Sequence, residues 1–228
     1  MAVSRWALAL SLVLAGAVVI IALLRPGGPP QTAGPPGATA ARQTGPGPGA
    51  LTSTMTISGP DDVHVSEVVT WPNGGPTRIR LAVRAHPELS GDAARAQPRI
   101  DQLTVRIDEE VVPARAVPGV DHAWDVDPPT SAPPQRMVVS YQARGVIVPS
   151  SPSSEGRAIA VFSPLSWQAA PGDATLVVLG VGIRNLYCPD LPTDQLLCGR
   201  HSGSSWTARL PTAAASPVLV QLDLRSTG

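Results

Sequence analysis

Residues 77–84 read TRIRLAVR. Ile79, Leu81 and Val83 share one parity, and Arg78, Arg80 and Arg84 the other. Successive side chains of an extended chain point to opposite faces, so the stretch reads as a strand with one buried and one charged face. The same period of two recurs in DQLTVRI (101–107), where Leu103, Val105 and Ile107 share a face. It recurs in PVLVQLDL (217–224), where Val218, Val220, Leu222 and Leu224 do. ATLVVLGVGI (174–183) is apolar on both parities and reads as part of a central strand over 174–184. Its Gly180 and Gly182 mark a bulge or a close backbone approach.

Further strands are expected at 51–58, 63–70, 77–85, 111–117, 136–142, 144–148, 157–163, 204–210 and 217–225. One short helix is expected around 89–96. No other stretch after residue 51 carries a long 3.6-residue period. Many short strands punctuated by Pro and Gly predict an all-β fold, an antiparallel β-sandwich over 51–228. About 175 residues suffice for one core burying ~70% of the unfolded chain's surface. A single domain is expected, and two small sandwiches divided near 150–154 are the second reading.

The pattern is similar to an immunoglobulin-like sandwich in general outline. The inter-sheet disulfide of that family joins cysteines far apart in sequence, and a tyrosine lies two residues before the second. Here Cys188 and Cys198 are ten positions apart and Tyr187 directly precedes Cys188. The resemblance therefore implies a fold outline and no immunoglobulin function.

The N-terminal side is different in kind. Residues 6–24 (WALALSLVLAGAVVIIALL) carry no charge, and Ser11 is their one polar side chain. At 1.5 Å per residue such a helix spans roughly 28 Å, a bilayer's hydrocarbon thickness. Trp6 suits the interface, and Arg5 with the α-amino group makes the N-terminal flank the more positive. The expectation is a cytoplasmic stub (1–5), a transmembrane signal-anchor helix (6–24) and a cell-membrane location with the C-terminal domain extracellular. A cleaved signal peptide is the rival, but its apolar run is usually shorter. Residues 25–50 hold seven Pro, seven Gly and no large apolar side chain. Such a segment cannot bury enough surface to fold and is expected to be a disordered spacer.

All 17 basic residues are Arg, Asn occurs only at 73 and 185, and Phe only at 162. This bias fits a high-GC genome, with an actinobacterium as the expected source. Without Lys, Schiff-base catalysis and lysine isopeptide crosslinks are excluded. Beyond residue 50 the chain carries 14 Arg against 17 Asp and Glu. That slight acidity is no nucleic-acid footprint.

Five groups carry candidate chemistry. In an exported domain, Cys188 and Cys198 are expected to form a disulfide. The alternative is a metal pair of Cys198 and His201, with Asp190 or Asp194 beside Cys188. In GVDHAWDVDPP (119–129), Asp121, His122, Asp125 and Asp127 form a weak candidate cation or acid–base cluster, against the plain reading of a solvated loop. Arg78, Arg80 and Arg84 are a candidate anion-binding row, against that of a solvated sheet face. Trp71, Trp124 and Trp167 lie near expected turns, where exposed rings could stack on a ligand, whereas Trp206 is expected in the core. HSGSS (201–205) lacks the glycine spacing of a nucleophile elbow around Ser202.

No coherent catalytic set emerges and no cofactor is implied. The expected function is a membrane-anchored extracytoplasmic binding or assembly module of the bacterial cell envelope, its partner an envelope protein or cell-wall polymer. The alternatives are a carbohydrate or cell-wall binder using Trp and Arg, and an envelope hydrolase using 121–127.

Overall fold

A computed structural model describes residues 49–60, 62–129, 132–151, 156–170, 172–211 and 217–224. The expected stub, anchor helix and all but the last two residues of the spacer lie outside the described residues. Among the described residues no helix is long and apolar enough to cross a membrane. The described residues cluster as one compact unit.

The fold is all-β, with fifteen strands in three sheets among the described residues. β1 (Ala50–Ile57) lies inside an eight-stranded sheet, between β2 (Val63–Thr70) and β11 (Asp173–Gly180). Its Leu51, Ser53, Met55 and Ile57 turn inward, and Thr52, Thr54 and Thr56 turn out. Beyond β2 the sheet continues through β8 (Arg136–Arg144), β4 (Arg99–Ile107) and β5 (Glu110–Val112). Beyond β11 it continues through β14 (Ser205–Pro211) to the edge strand β13 (Arg200–Ser202).

β1 and β11 pair in parallel, Leu51 opposite Ala174 through Ile57 opposite Gly180, while the other pairs are antiparallel. The sheet is therefore mixed, which corrects the antiparallel expectation. A tight turn can only reverse a strand, whereas β11 returns to β1 after the chain has built most of the other strands.

A four-stranded sheet runs β12 (Ile183–Tyr187), β15 (Val218–Asp223), β10 (Arg157–Phe162) and β9 (Ile147–Pro149). A three-stranded sheet runs β3 (Ile79–Ala82), β7 (Ala123–Val126) and β6 (Ala114–Ala116). All three sheets feed one core, which includes Met55, Leu81, Val126, Phe162, Val220 and Leu222. The inward parity of β15 is the one its alternation predicts.

The expected central strand 174–184 is two strands in two sheets. The chain leaves the eight-stranded sheet at Gly180 and enters the four-stranded sheet at Ile183. A Cβ on Gly182 would collide with the Asp223 carbonyl oxygen, and one on Gly180 would lie 2.7 Å from that of Ile57. Both glycines mark close backbone approaches, one of the two readings open from sequence. The short helix expected around 89–96 is a 3-10 turn, Gly91–Arg95. β7 runs through GVDHAWDVDPP, which corrects the loop reading of that stretch.

Candidate functional site

The charged face read from TRIRLAVR is the outer face of the three-stranded sheet. Ile79 and Leu81 are buried, which turns Arg80 outward. Register sets Arg80 opposite Asp125, and Asp125 opposite Arg115 on β6. One aspartate thus sits between two arginines on adjacent strands. Arg80 binds it through both oxygens, Nε to Oδ1 at 2.8 Å and Nη2 to Oδ2 at 3.1 Å. Arg115 Nη1 donates to Asp127 Oδ2 at 3.2 Å. The guanidinium of Arg80, and then the more distant charge of Arg78, hold the Asp125 carboxyl below the usual carboxylate range, against a smaller opposing effect of desolvation.

A cleft of about 690 Å³ opens here, lined by Arg78, Arg80, Arg115, Pro118, Asp125 and Asp127 among others. Among the described residues Arg78 makes no hydrogen bond or ion pair. Three arginines against two aspartates leave the cleft positive. Exposed pairs of this kind contribute little to stability. Their chemical capacity is to present guanidinium N–H groups to an oxyanion.

The other candidates fall elsewhere. Arg84 is half-buried, lies past the end of β3 and does not line the cleft. Trp71 is 1% exposed and its Nε1 donates to the Ala169 carbonyl at 2.8 Å. Trp167 is also buried, in the 3-10 turn Leu165–Ala169. Neither ring offers a face to a ligand, because both fill core space. Trp124 is half-buried against the core, 6.4 Å from the His122 ring. Asp121 is exposed, while Asp125 and Asp127 are engaged by arginines. Among the described residues no group of three or more His, Cys, Asp or Glu is placed to share a metal ion.

Cys188 and Cys198 form a disulfide with Cα atoms 5.9 Å apart. Neither sulfur is therefore a thiolate ligand, which corrects the metal reading with His201. Trp206 is half-buried, packs on the core and has its ring 4.9 Å from that of His201.

Sequence reading missed Glu67. It is fully buried on the inner parity of β2. Its Oε1 accepts from the Tyr141 hydroxyl at 2.6 Å and the Leu165 N–H at 2.8 Å. Its Oε2 accepts from the Ser166 N–H at 2.9 Å and from the Ser166 hydroxyl. Burial raises its pKa above the ordinary value of 4.5, and the four donors offset part of that rise. Burial also pushes the Tyr141 hydroxyl well above its ordinary value. The cluster ties β2 and β8 to the turn 165–169. The signal was present: in VHVSEVVT, Glu67 shares its parity with Val63, Val65 and Val69.

No family model matches the chain, and no curated protein does. Among solved structures it is similar to an aminopeptidase N family protein from Idiomarina loihiensis, at 12% identity over 75% of this chain and 29% of that one, with TM-score 0.45. It is similar to an M1 zinc metallopeptidase from Deinococcus radiodurans, at 15% identity over 76% and 41%, with TM-score 0.38. It is also similar to yeast LTA4 hydrolase in complex with Bestatin, at 7% identity over 78% and 29%, with TM-score 0.42. The chain spans less than half the length of each. The expected membrane-anchored envelope binding or assembly module is not what the comparisons find: these neighbours are described as peptidases and a hydrolase. Its cell-wall alternative loses the buried Trp71 and Trp167, and its hydrolase alternative loses Asp125 and Asp127 to arginines. Likeness at this level carries no activity or substrate to this chain.

Proposed function

We propose that the cleft over the three-stranded sheet recognises a small oxyanion-bearing ligand, with a carboxylate as the preferred group. The observation that carries this is Arg78, a guanidinium lining the cleft with no hydrogen bond or ion pair among the described residues, beside two that are held in place. Asp125 and Asp127 orient Arg80 and Arg115, so a ligand meets a positioned row. A planar fork of N–H donors matches a carboxylate in two bonds.

Titration of the whole chain with citrate and with N-acetylglutamate, followed by calorimetry, tests this. Saturable binding that weakens with salt and is lost in Arg78→Ala, but kept in Arg84→Ala, is the expected result. No saturable binding by either anion, or equal binding by Arg78→Ala, would overturn the proposal.

We also propose a layering for the sheets and a location for the protein. The eight- and four-stranded sheets are read as the two layers of a sandwich, supported by the inward parities of β1 and β15 meeting in one core. Location in a cell membrane through residues 6–24, with the β domain outside, is supported by that uncharged run. The disulfide adds support, because such bonds persist in oxidising compartments. Protease accessibility of the β domain in intact cells tests the location.

A further inference from the structure

The disulfide loop ends beside an open sheet edge. β13 closes the order of the eight-stranded sheet, so its outer edge is unpaired among the described residues, and its three residues are exposed. Such an edge offers N–H and C=O groups to an added strand. Next to it is a second cleft of about 510 Å³, lined by Leu191, Asp194, Leu197, Arg200, Thr207 and Arg209 among others.

Register places Arg200 opposite Thr207, and Arg209 lies two residues further along β14, so all three share one face. Neither arginine has an ion pair or hydrogen bond among the described residues. Leu197 is 66% exposed beside them, an unusual position for a large apolar side chain. The loop itself is held. The Cys188 N–H donates to the Leu196 carbonyl at 2.8 Å, and the Cys198 N–H donates to that of Leu186 at 3.1 Å. The disulfide closes this same ring. Gly199 lets the chain turn close to the sheet, since a Cβ there would lie 2.9 Å from both the Leu186 Cβ and the Trp206 ring.

We propose that β13 and the clamped loop form a docking edge for an extended acidic segment of a partner protein. The segment adds as a strand along Arg200–Ser202. Its carboxylates meet Arg200 and Arg209, their carbon stems pass over Leu197 and Leu191 on that same face, and the side chains alternating with them point to the opposite face. Charge complementarity selects this occupant, because two unpaired guanidiniums face a single lining acid, Asp194. The disulfide pre-forms the surface, which lowers the ordering cost of binding. The site is separate from the Arg78 cleft.

The test uses the whole chain and a fluorescein-labelled peptide of alternating Glu and Val, with a Lys/Val peptide of the same pattern and free glutamate as comparisons. The expected result is saturable binding of the Glu/Val peptide alone, with slowed amide exchange at Arg200–Ser202. Arg200→Glu and Arg209→Glu should each weaken it by ~10-fold or more, since like charges then face each other. Arg78→Ala should leave it unchanged, which separates this outcome from the small-anion site. Equal binding of the Lys/Val peptide, full competition by free glutamate, or no binding of the Glu/Val peptide would overturn the proposal. Unchanged exchange at Arg200–Ser202 on saturation would also overturn it, without relying on any variant.

Discussion

Glu67 offers the sharpest test of the energetics. In Glu67→Ala, the Tyr141 O–H and the N–H groups of Leu165 and Ser166 lose their acceptor inside the core. At ~1 kcal/mol or more for each stranded donor, the loss is about 3 kcal/mol at least. For a domain of this size that lowers the melting temperature by about 6–12 °C. Glu67→Gln keeps the shape. Its oxygen can serve Tyr141 and Leu165, but its amide then faces the Ser166 N–H, donor against donor. One unsatisfied N–H costs about 1–3 kcal/mol. Urea unfolding followed by tryptophan fluorescence measures both variants. The pH dependence adds a sign. Because burial raises the folded pKa of Glu67, the native state keeps a proton that the unfolded chain releases above 4.5. Wild-type stability relative to Glu67→Gln should therefore be greatest below pH 4.5, fall as pH rises through the raised folded pKa, and then level off. A difference that grows with pH across this window would show the four donors outweighing desolvation and refute the assignment. A loss within ~0.5 kcal/mol for Glu67→Ala would refute the claim that the cluster ties the turn to the sheet.

Reducing the Cys188–Cys198 bond reopens an 11-residue loop, for which chain entropy gives about 2.8 kcal/mol. Dithiothreitol should accordingly lower the melting temperature, and intact mass should rise by two hydrogens. Gly182→Ala meets the Asp223 carbonyl at φ +74 and should destabilise by more than ~1 kcal/mol in chemical denaturation. Trp71→Phe removes the hydrogen bond to Ala169 and should cost about 1 kcal/mol or more while leaving citrate binding unchanged, since the ring is buried away from the cleft. Arg80→Ala should leave the melting temperature close to that of the wild type, because the pair with Asp125 is exposed.

Much of the fold was open to reading in the chain. Alternation in β1, β2, β8 and β15 names the inward side chains, because burial on one face of a strand is a local constraint of period two. The disulfide followed from the expectation of an exported domain and from the two cysteines. β7 escaped notice because Asp121, His122, Asp125 and Asp127 make its stretch look like a loop. In β7 the polar Asp125 is outward and paired with Arg80, while Ala123 and Val126 are buried. β13 escaped because three exposed residues carry no period.

The order of side chains along the chain settles which faces are apolar, that the class is all-β, and that Arg78 and Arg80 share a side. Which strands are neighbours is a property of the folded arrangement alone. It set β11 parallel to β1, divided 174–184 between two sheets at Gly180 and Gly182, and brought Arg115 across β7 to complete the cleft. It also turned Glu67 into a fully bonded core acid. The reason is range: side-chain alternation is written into two consecutive residues, whereas pairing, register and the partners of a buried carboxylate depend on segments about a hundred positions away.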